Sequence, residues 1–270
     1  MPVVGFCHTD LAALAALHFG EWAEKPVRRR WARIYNQFDQ VLAPSRYIAE
    51  RLDDAGVKDP IALTLGVDVE TFNPTRADRE QVRRSLGLSP DRRLLVFAGR
   101  PAREKKIDVL VEAVAQLGDP YTLLLVGAGP GALITAPNLV TLPYERDPAS
   151  LARLLASCDA FVHANDAEPF GLITLEAMAC GLPVVAVRSG GLAETVDEEV
   201  GELAERSTAS QFAEAIEALF ARDVTAVGAL ARVRAVTRHG WDRVFTQLTE
   251  IYAGLTGDLS FVATSEAAAR

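Results

Sequence analysis

The stretch Glu168-Pro169-Phe170-Gly171-Leu172-Ile173-Thr174-Leu175-Glu176-Ala177-Met178-Ala179-Cys180-Gly181-Leu182-Pro183-Val184-Val185 decides how this chain is read. It predicts a loop, an apolar helix and a buried strand in immediate succession. Gly181-Leu182-Pro183 is a helix stop, and the Val-rich run from Val184 to Val187 reads as the strand. A helix starting near Gly171 and rising about 1.5 Å per residue carries Glu176 a little over a turn in. Glu168 then stays in the loop at the helix mouth, where free backbone N–H groups favour anions. A phosphate seated on those N–H groups would have one acid toward a ribose and the other toward a sugar. The expectation is a nucleotide-sugar site.

Outward from this stretch the chain alternates strands and helices. Leu94 to Ala98, Thr122 to Val126, Asn138 to Leu142 and Ala160 to His163 read as strands. Ile107 to Leu117 and Pro148 to Ser157 read as the helices between them. Short apolar strands between amphipathic helices predict a parallel sheet covered on both faces, hence a doubly wound α/β domain. From Ala209 the pattern is helical, ending in Trp241 to Leu255, and residues 256–270 read as a frayed tail. Before about Asp91 only three candidate strands occur: Val3 to Phe6, Gln40 to Ala43 and Ile61 to Leu65, with helices near Trp31 and Tyr47. The expected division is a partial first α/β domain over 1–90 and a complete second domain over 91–255, parted at the Ser89-Pro90 turn.

Composition narrows the function classes. The chain has 270 residues, 49% of them hydrophobic, and a net charge of −8, which argues against a nucleic-acid binder. No apolar run reaches the roughly 20 residues of a membrane span. Met1-Pro-Val-Val-Gly-Phe-Cys-His8 lacks the form of a signal peptide, and Cys7, Cys158 and Cys180 have no metal spacing. A soluble, cytosolic enzyme is the expectation.

Several further motifs sit at strand ends. Gly99-Arg100 with Glu104-Lys105-Lys106 follows a strand directly; Arg100 and Lys105 can neutralise a diphosphate, or form a solvated basic loop. Gly127-Ala128-Gly129-Pro130-Gly131 departs from the dinucleotide pattern Gly-x-Gly-x-x-Gly, and no acidic residue ends a strand about twenty residues on. A tight turn is the competing reading. His8 follows an apolar strand and precedes a helix capped by Thr9 or Asp10, as a site residue or one with no chemistry. His163 is expected to support the Glu168 loop, and Ser189-Gly190-Gly191 with Glu194 to be structural. Arg28-Arg29-Arg30 with Arg33, beside Trp22 and Trp31, is either a solvated helix face or a peripheral contact with the inner membrane surface.

Together these motifs resemble the retaining, GT-B-fold glycosyltransferases of the large family that holds many bacterial mannosyl- and glucosyltransferases. The likeness runs through almost the whole chain, in order: His8-Thr-Asp, Gly66-Val-Asp68 with Phe72-Asn-Pro74, Gly99-Arg100 with Glu104-Lys105, Gly127 to Gly129, Glu168-x7-Glu176, Gly181-Leu-Pro-Val-Val and Gly190-Gly191. The resemblance implies a GT-B-type fold with a complete C-terminal Rossmann-like domain and a truncated N-terminal α/β domain. It implies that Arg100 and Lys105 bind the donor diphosphate, that Glu176 takes the ribose hydroxyls, and that Glu168 faces the donor sugar. Gly171 and Leu172 would offer N–H groups near the phosphates, Leu142 would lie where the base is held, and His8 would stand near the reacting sugar.

The implied reaction moves a hexose, mannose or glucose, from GDP- or UDP-hexose to an open acceptor, a lipid or a glycan, with retention and no metal cofactor. Two departures stand against the family pattern. The chain starts just before the His8 motif, so the opening strands of the first domain are expected to be missing. Lys106 occupies a position where the family often has Gly. The alternative reading is a catalytically silent nucleotide-sugar-binding or interaction domain; a nicotinamide oxidoreductase is disfavoured by the failed glycine fingerprint.

Overall fold

The computed structural model describes residues 1–128 and 136–257. Chain order is β1 (Val4–Phe6), α1 (Leu11–Phe19), α2 (Glu24–Tyr35), β2 (Gln40–Ala43), α3 (Arg46–Asp54), β3 (Ile61–Ala62) and α4 (Arg79–Ser85). There follow β4 (Arg93–Ala98), α5 (Ile107–Leu117), β5 (Tyr121–Val126), β6 (Leu139–Leu142), α6 (Pro148–Ala156), β7 (Ala160–His163), α7 (Leu172–Ala179) and β8 (Val184–Val187). The last elements are α8 (Leu192–Thr195), β9 (Gly201–Ala204), α9 (Ala209–Phe220), α10 (Val224–His239) and α11 (Trp241–Thr256).

Two parallel sheets result. The smaller has the order β1-β2-β3, and the larger β6-β5-β4-β7-β8-β9. All six residues of β5 and all four of β7 and β8 are buried, because helices cover both faces and leave no wet side for polar residues. Counted from β4, the larger sheet runs 3-2-1-4-5-6, so its strand order reverses between β4 and β7. Ligands bind such sheets beyond the carboxyl ends of the strands, at that reversal. Phe97 on β4 and Phe161 on β7 stack at 6.5 Å across the same seam, fixing the strands whose ends carry the site.

The hydrophobic interior forms two clusters. One joins Cys7, Trp31, Ile48 and Leu52; the other contains the larger sheet and also Val67, Phe72 and Val82. The packing frontier therefore falls between Val57 and Val67, ahead of the Ser89-Pro90 turn: the segment after β3 buries its apolar residues on the second sheet. The chain also returns to this frontier, since Val67 N donates to His239 O, and Thr64 Oγ1 lies 2.8 Å from His239 Nδ1. That turn toward α10 explains why β3 ends at Ala62 and does not continue to Leu65. Pattern reading also missed α4, α8 and β9, all short, with β9 an edge strand carrying Glu202. The helix expected to end at Leu255 runs one residue further; residues 258–270 and the Gly129-Pro130-Gly131 part of the glycine loop lie outside the described residues.

Candidate functional site

The loops after β4 and β7 face one another at the sheet reversal, and the loop after β1 closes over them from the smaller sheet. Between them lies a cleft in two adjoining compartments. The larger, of about 870 Å³, is lined by His8, Asp10, α1, Asp166 and Glu168. The smaller, of about 450 Å³, is lined by Gly99, Tyr144, Arg146, Leu172 and Glu176. Arg100 and Lys105 line both. The two basic residues thus stand at the junction, with Glu168 on one side and Glu176 on the other.

The two acids are held in opposite ways. Glu168 is buried, and its Oε2 accepts from Lys105 Nζ and Asn165 Nδ2, each at 2.7 Å. His163 Nε2 approaches the same oxygen at 3.3 Å without hydrogen-bond alignment, so its influence is electrostatic. Burial alone would push the Glu168 carboxyl up; the His163 ring and the Lys105 ammonium outweigh it and hold the group well below the usual carboxylate range. All three neighbours engage one oxygen, which leaves Oε1 without a protein donor among the described residues. His163 is itself fixed by Phe97 and Phe161, at ring distances of 5.6 and 6.0 Å, and its Nδ1 lies 3.3 Å from Thr174 Oγ1 on α7.

Glu176 sits one turn inside α7, half-buried, and its carboxylate has no hydrogen bond or ion pair among the described residues. Burial raises it to about 7. A carboxylate left in this state facing a cleft is complementary to hydroxyl donors that the protein itself does not supply. Arg100 is exposed and likewise unpaired among the described residues. The mouth of α7 completes the arrangement: Gly171 caps it in the left-handed region, φ 86°, with no side-chain cap and no acid in the first turn. The N–H of Leu172 is therefore available to an anion.

His8 is exposed in the wall of the larger compartment, its ring stacked on Phe6 at 5.6 Å. Leu142 ends β6, but its carbonyl accepts from Gly127 N and Ala128 N, and it is not part of the cleft lining; the wall of the smaller compartment is made by Tyr144, Glu145 and Arg146 just after it. The expectation for Leu142 thus moves two to four residues along the chain. Gly127 is a close-approach residue: a Cβ there would lie 2.2 Å from Gly99 O. Lys106 takes a left-handed conformation, φ 47°, which explains why Gly suits that position, and its ammonium pairs with Asp166.

Sequence reading missed Asn165 and Arg51, and expected Glu194 to be structural without foreseeing its partner. Asn165, two residues past the end of β7, anchors Glu168 and also receives Ala167 N on its Oδ1. Arg51 on α3 pairs with buried Asp10 and with Glu24 inside the larger compartment. Glu194 crosses to the smaller sheet, accepting from Arg46 N at 3.0 Å and Tyr47 N at 2.6 Å and so capping α3 from outside its own half. Ser45 Oγ donates to Pro169 O at 2.6 Å beside it. The strand-end position of Asn165 was a usable signal; pairings such as Arg51 with Asp10, 41 positions apart, and Glu194 with Tyr47, 147 apart, were not. Arg28 lies against Glu24 and Asp54, while Trp31 is buried and Trp22 exposed. Among the described residues no helix is long and apolar enough to cross a membrane, and no cluster of His, Cys, Asp or Glu is placed to hold a metal.

Residues 78–227 match the family described as Glycosyl transferases group 1. The chain belongs to that family. Residues 1–71 of this family member match a second description, Glycosyltransferase Family 4. Among curated relatives, the D-inositol 3-phosphate glycosyltransferase of Mycobacterium marinum is 32% identical over 285 residues, which cover 96% of this chain and 60% of that protein. That of Mycolicibacterium gilvum is 31% identical, covering 100% and 64%. The family member thus spans about 60% of the length of these relatives. Sucrose-phosphate synthase from Thermosynechococcus elongatus superposes with a TM-score of 0.78 at 26% identity, over 94% of this chain and 68% of that one. Anabaena HepE in complex with UDP-glucose gives 0.80 at 24%, over 94% and 72%. The two parallel α/β sheets are those of the GT-B fold.

Proposed function

We propose that the cleft binds a nucleotide-diphosphate sugar across the Arg100–Lys105 junction and passes its hexose, glucose or mannose, to an acceptor with retention of anomeric configuration. One observation carries this reading: the two basic residues line both compartments, with unpartnered Glu176 in one and Glu168 in the other. The diphosphate spans the junction, neutralised by the Arg100 fork, the Lys105 charge and the N–H groups of Gly171 and Leu172, with no metal required. The ribose hydroxyls donate to Glu176, and the base lies against Tyr144 and Arg146. The sugar projects into the larger compartment, where Glu168 Oε1 accepts from its hydroxyls and His8 faces it from the first half.

As the bond from the anomeric carbon to the phosphate oxygen breaks, positive charge develops on the sugar beside the anionic Glu168 and negative charge on phosphate beside Arg100 and Lys105. The acceptor oxygen bonds to the anomeric carbon on the face the phosphate leaves, and its proton passes to the departing phosphate oxygen. No protein nucleophile is assigned. The likeness to HepE, whose structure is in complex with UDP-glucose, supports UDP-glucose as the first donor to test.

Calorimetric titration of the chain with UDP, GDP and their hexose conjugates tests the reading. Selective binding of one conjugate, lost at least tenfold in Arg100→Ala, is the expected result. A folded chain that binds none of them refutes it. Binding without sugar release or transfer would point to a silent nucleotide-sugar-binding domain.

A further inference from the structure

We propose that the acceptor is an uncharged alcohol with an apolar body, in contrast to the phosphorylated polyol in the name of the curated relatives. This rests on the donor site just described and concerns the larger compartment opposite it. The far wall of that compartment is α1, whose sequence Leu11-Ala-Ala-Leu-Ala-Ala-Leu-His-Phe19 is apolar at every position except His18. Ala13, Leu14, Ala16 and Leu17 line the compartment, and Ala12 is the one residue of the helix that is fully buried. An apolar surface therefore faces the place where the donor sugar projects, and an alkyl or aryl body would remove it from water.

The charges of the same compartment point the same way. Among the described residues six carboxylates line it, against four Lys and Arg cations. Arg51 is committed to Asp10 and Glu24, Lys105 to Glu168, and Lys106 to Asp166. Arg100 stands at the junction, where the donor diphosphate takes it. Glu21 and Glu104 have no partner among the described residues. Among the described residues a phosphate on the acceptor would meet no free Lys or Arg there and an excess of carboxylate, which rejects it as negative potential rejects like charge. The acceptor hydroxyl supplies only an oxygen to the anomeric carbon and a proton to the departing phosphate, so nothing in the transfer requires a charged acceptor.

The test titrates the chain, loaded with whichever nucleoside diphosphate it binds, with n-octyl β-D-glucoside below its micelle concentration, with myo-inositol and with inositol 3-phosphate. The octyl glucoside is expected to bind at least about tenfold more tightly than either inositol compound, and Leu14→Glu to weaken it at least tenfold. Ala16→Glu, on the same wall, serves as the second variant should Leu14→Glu fold poorly. Inositol 3-phosphate binding as tightly as the octyl glucoside overturns the proposal, as does absence of octyl glucoside binding or its indifference to both substitutions. If no nucleoside diphosphate binds, the donor reading fails separately, and octyl glucoside titration of the unloaded chain, with and without Leu14→Glu and Ala16→Glu, still decides whether the apolar wall binds such a body.

Discussion

Glu176→Gln separates what this residue costs the fold from what it gives the ligand. Burial lifts the Glu176 carboxyl from 4.5 to about 7, and no group among the described residues offsets the lost hydration. Between those values the folded protein holds a proton that the unfolded chain has released, so native stability falls as pH rises through that window. At about 1.4 kcal/mol per pH unit the full span is about 3 kcal/mol; the edge of the carboxylate meets cleft water, whose screening reduces this to about 2 kcal/mol. Glutamine keeps the shape and removes the charge. The variant's advantage in urea unfolding is therefore expected to be small at pH 4.5 and to reach about 2 kcal/mol at pH 8. The same substitution weakens nucleoside diphosphate binding by about 1–3 kcal/mol in calorimetry, through poorer acceptance of the ribose hydroxyls. Ligand binding to the native chain also favours the ionised carboxylate, so near pH 7 it releases a proton, seen as a heat that varies with the buffer. Parallel pH profiles of stability for the two proteins would refute the reasoning.

Lys105→Ala is expected to raise the dissociation constant of the diphosphate-containing donor about tenfold or more while leaving the free nucleoside little changed; equal losses in calorimetry would make Lys105 a structural partner of Glu168 only. Gly127→Ala places a Cβ 2.2 Å from Gly99 O at φ 114°, and a loss of about 3 kcal/mol or failure to accumulate folded protein is expected in chemical unfolding. Glu194→Ala removes the carboxylate that caps α3 from the other half; hydrogen exchange at the Arg46 and Tyr47 amides should quicken by about fivefold or more, with the larger sheet unaffected.

The larger sheet was legible because its strands are short, apolar and bounded by glycine, proline and amphipathic helices. Ile107–Leu117, Ala160–His163 and Val184–Val187 coincide with the residues expected from pattern alone. The failures share a physical cause. β9 and α8 are too short to establish a period, and β3 is ended by a contact from His239, some 175 residues away. The frontier between the two cores falls ahead of the Ser89-Pro90 turn because that turn marks a local bend, whereas Phe72 and Val82 choose their side by burial on the second sheet. Within the site, strand-end position exposed Arg100, Lys105, Glu168 and His163. It gave no access to Arg51, which joins the cleft only through tertiary approach, and it marked Glu194 as structural without its partner on α3.

The contrast between the two acids bears on how the cleft divides its work. Glu168 is finished before any ligand arrives: Lys105 and Asn165 hold one oxygen, His163 stands beside it on an aromatic seam, and the other oxygen remains in a fixed direction. Such an environment stabilises developing charge without reorganising, which is where electrostatic catalysis gains most. Glu176 is unfinished, and only a ligand can supply its donors. In the proposed binding mode the nucleoside end would relieve a burial penalty in the smaller compartment, while the sugar end would meet a site that need not move. On the proposed reading the arrangement would concentrate affinity at the nucleotide and rigidity at the sugar. On this argument Glu168→Gln should lower transfer far more than donor affinity, and Glu176→Gln the reverse.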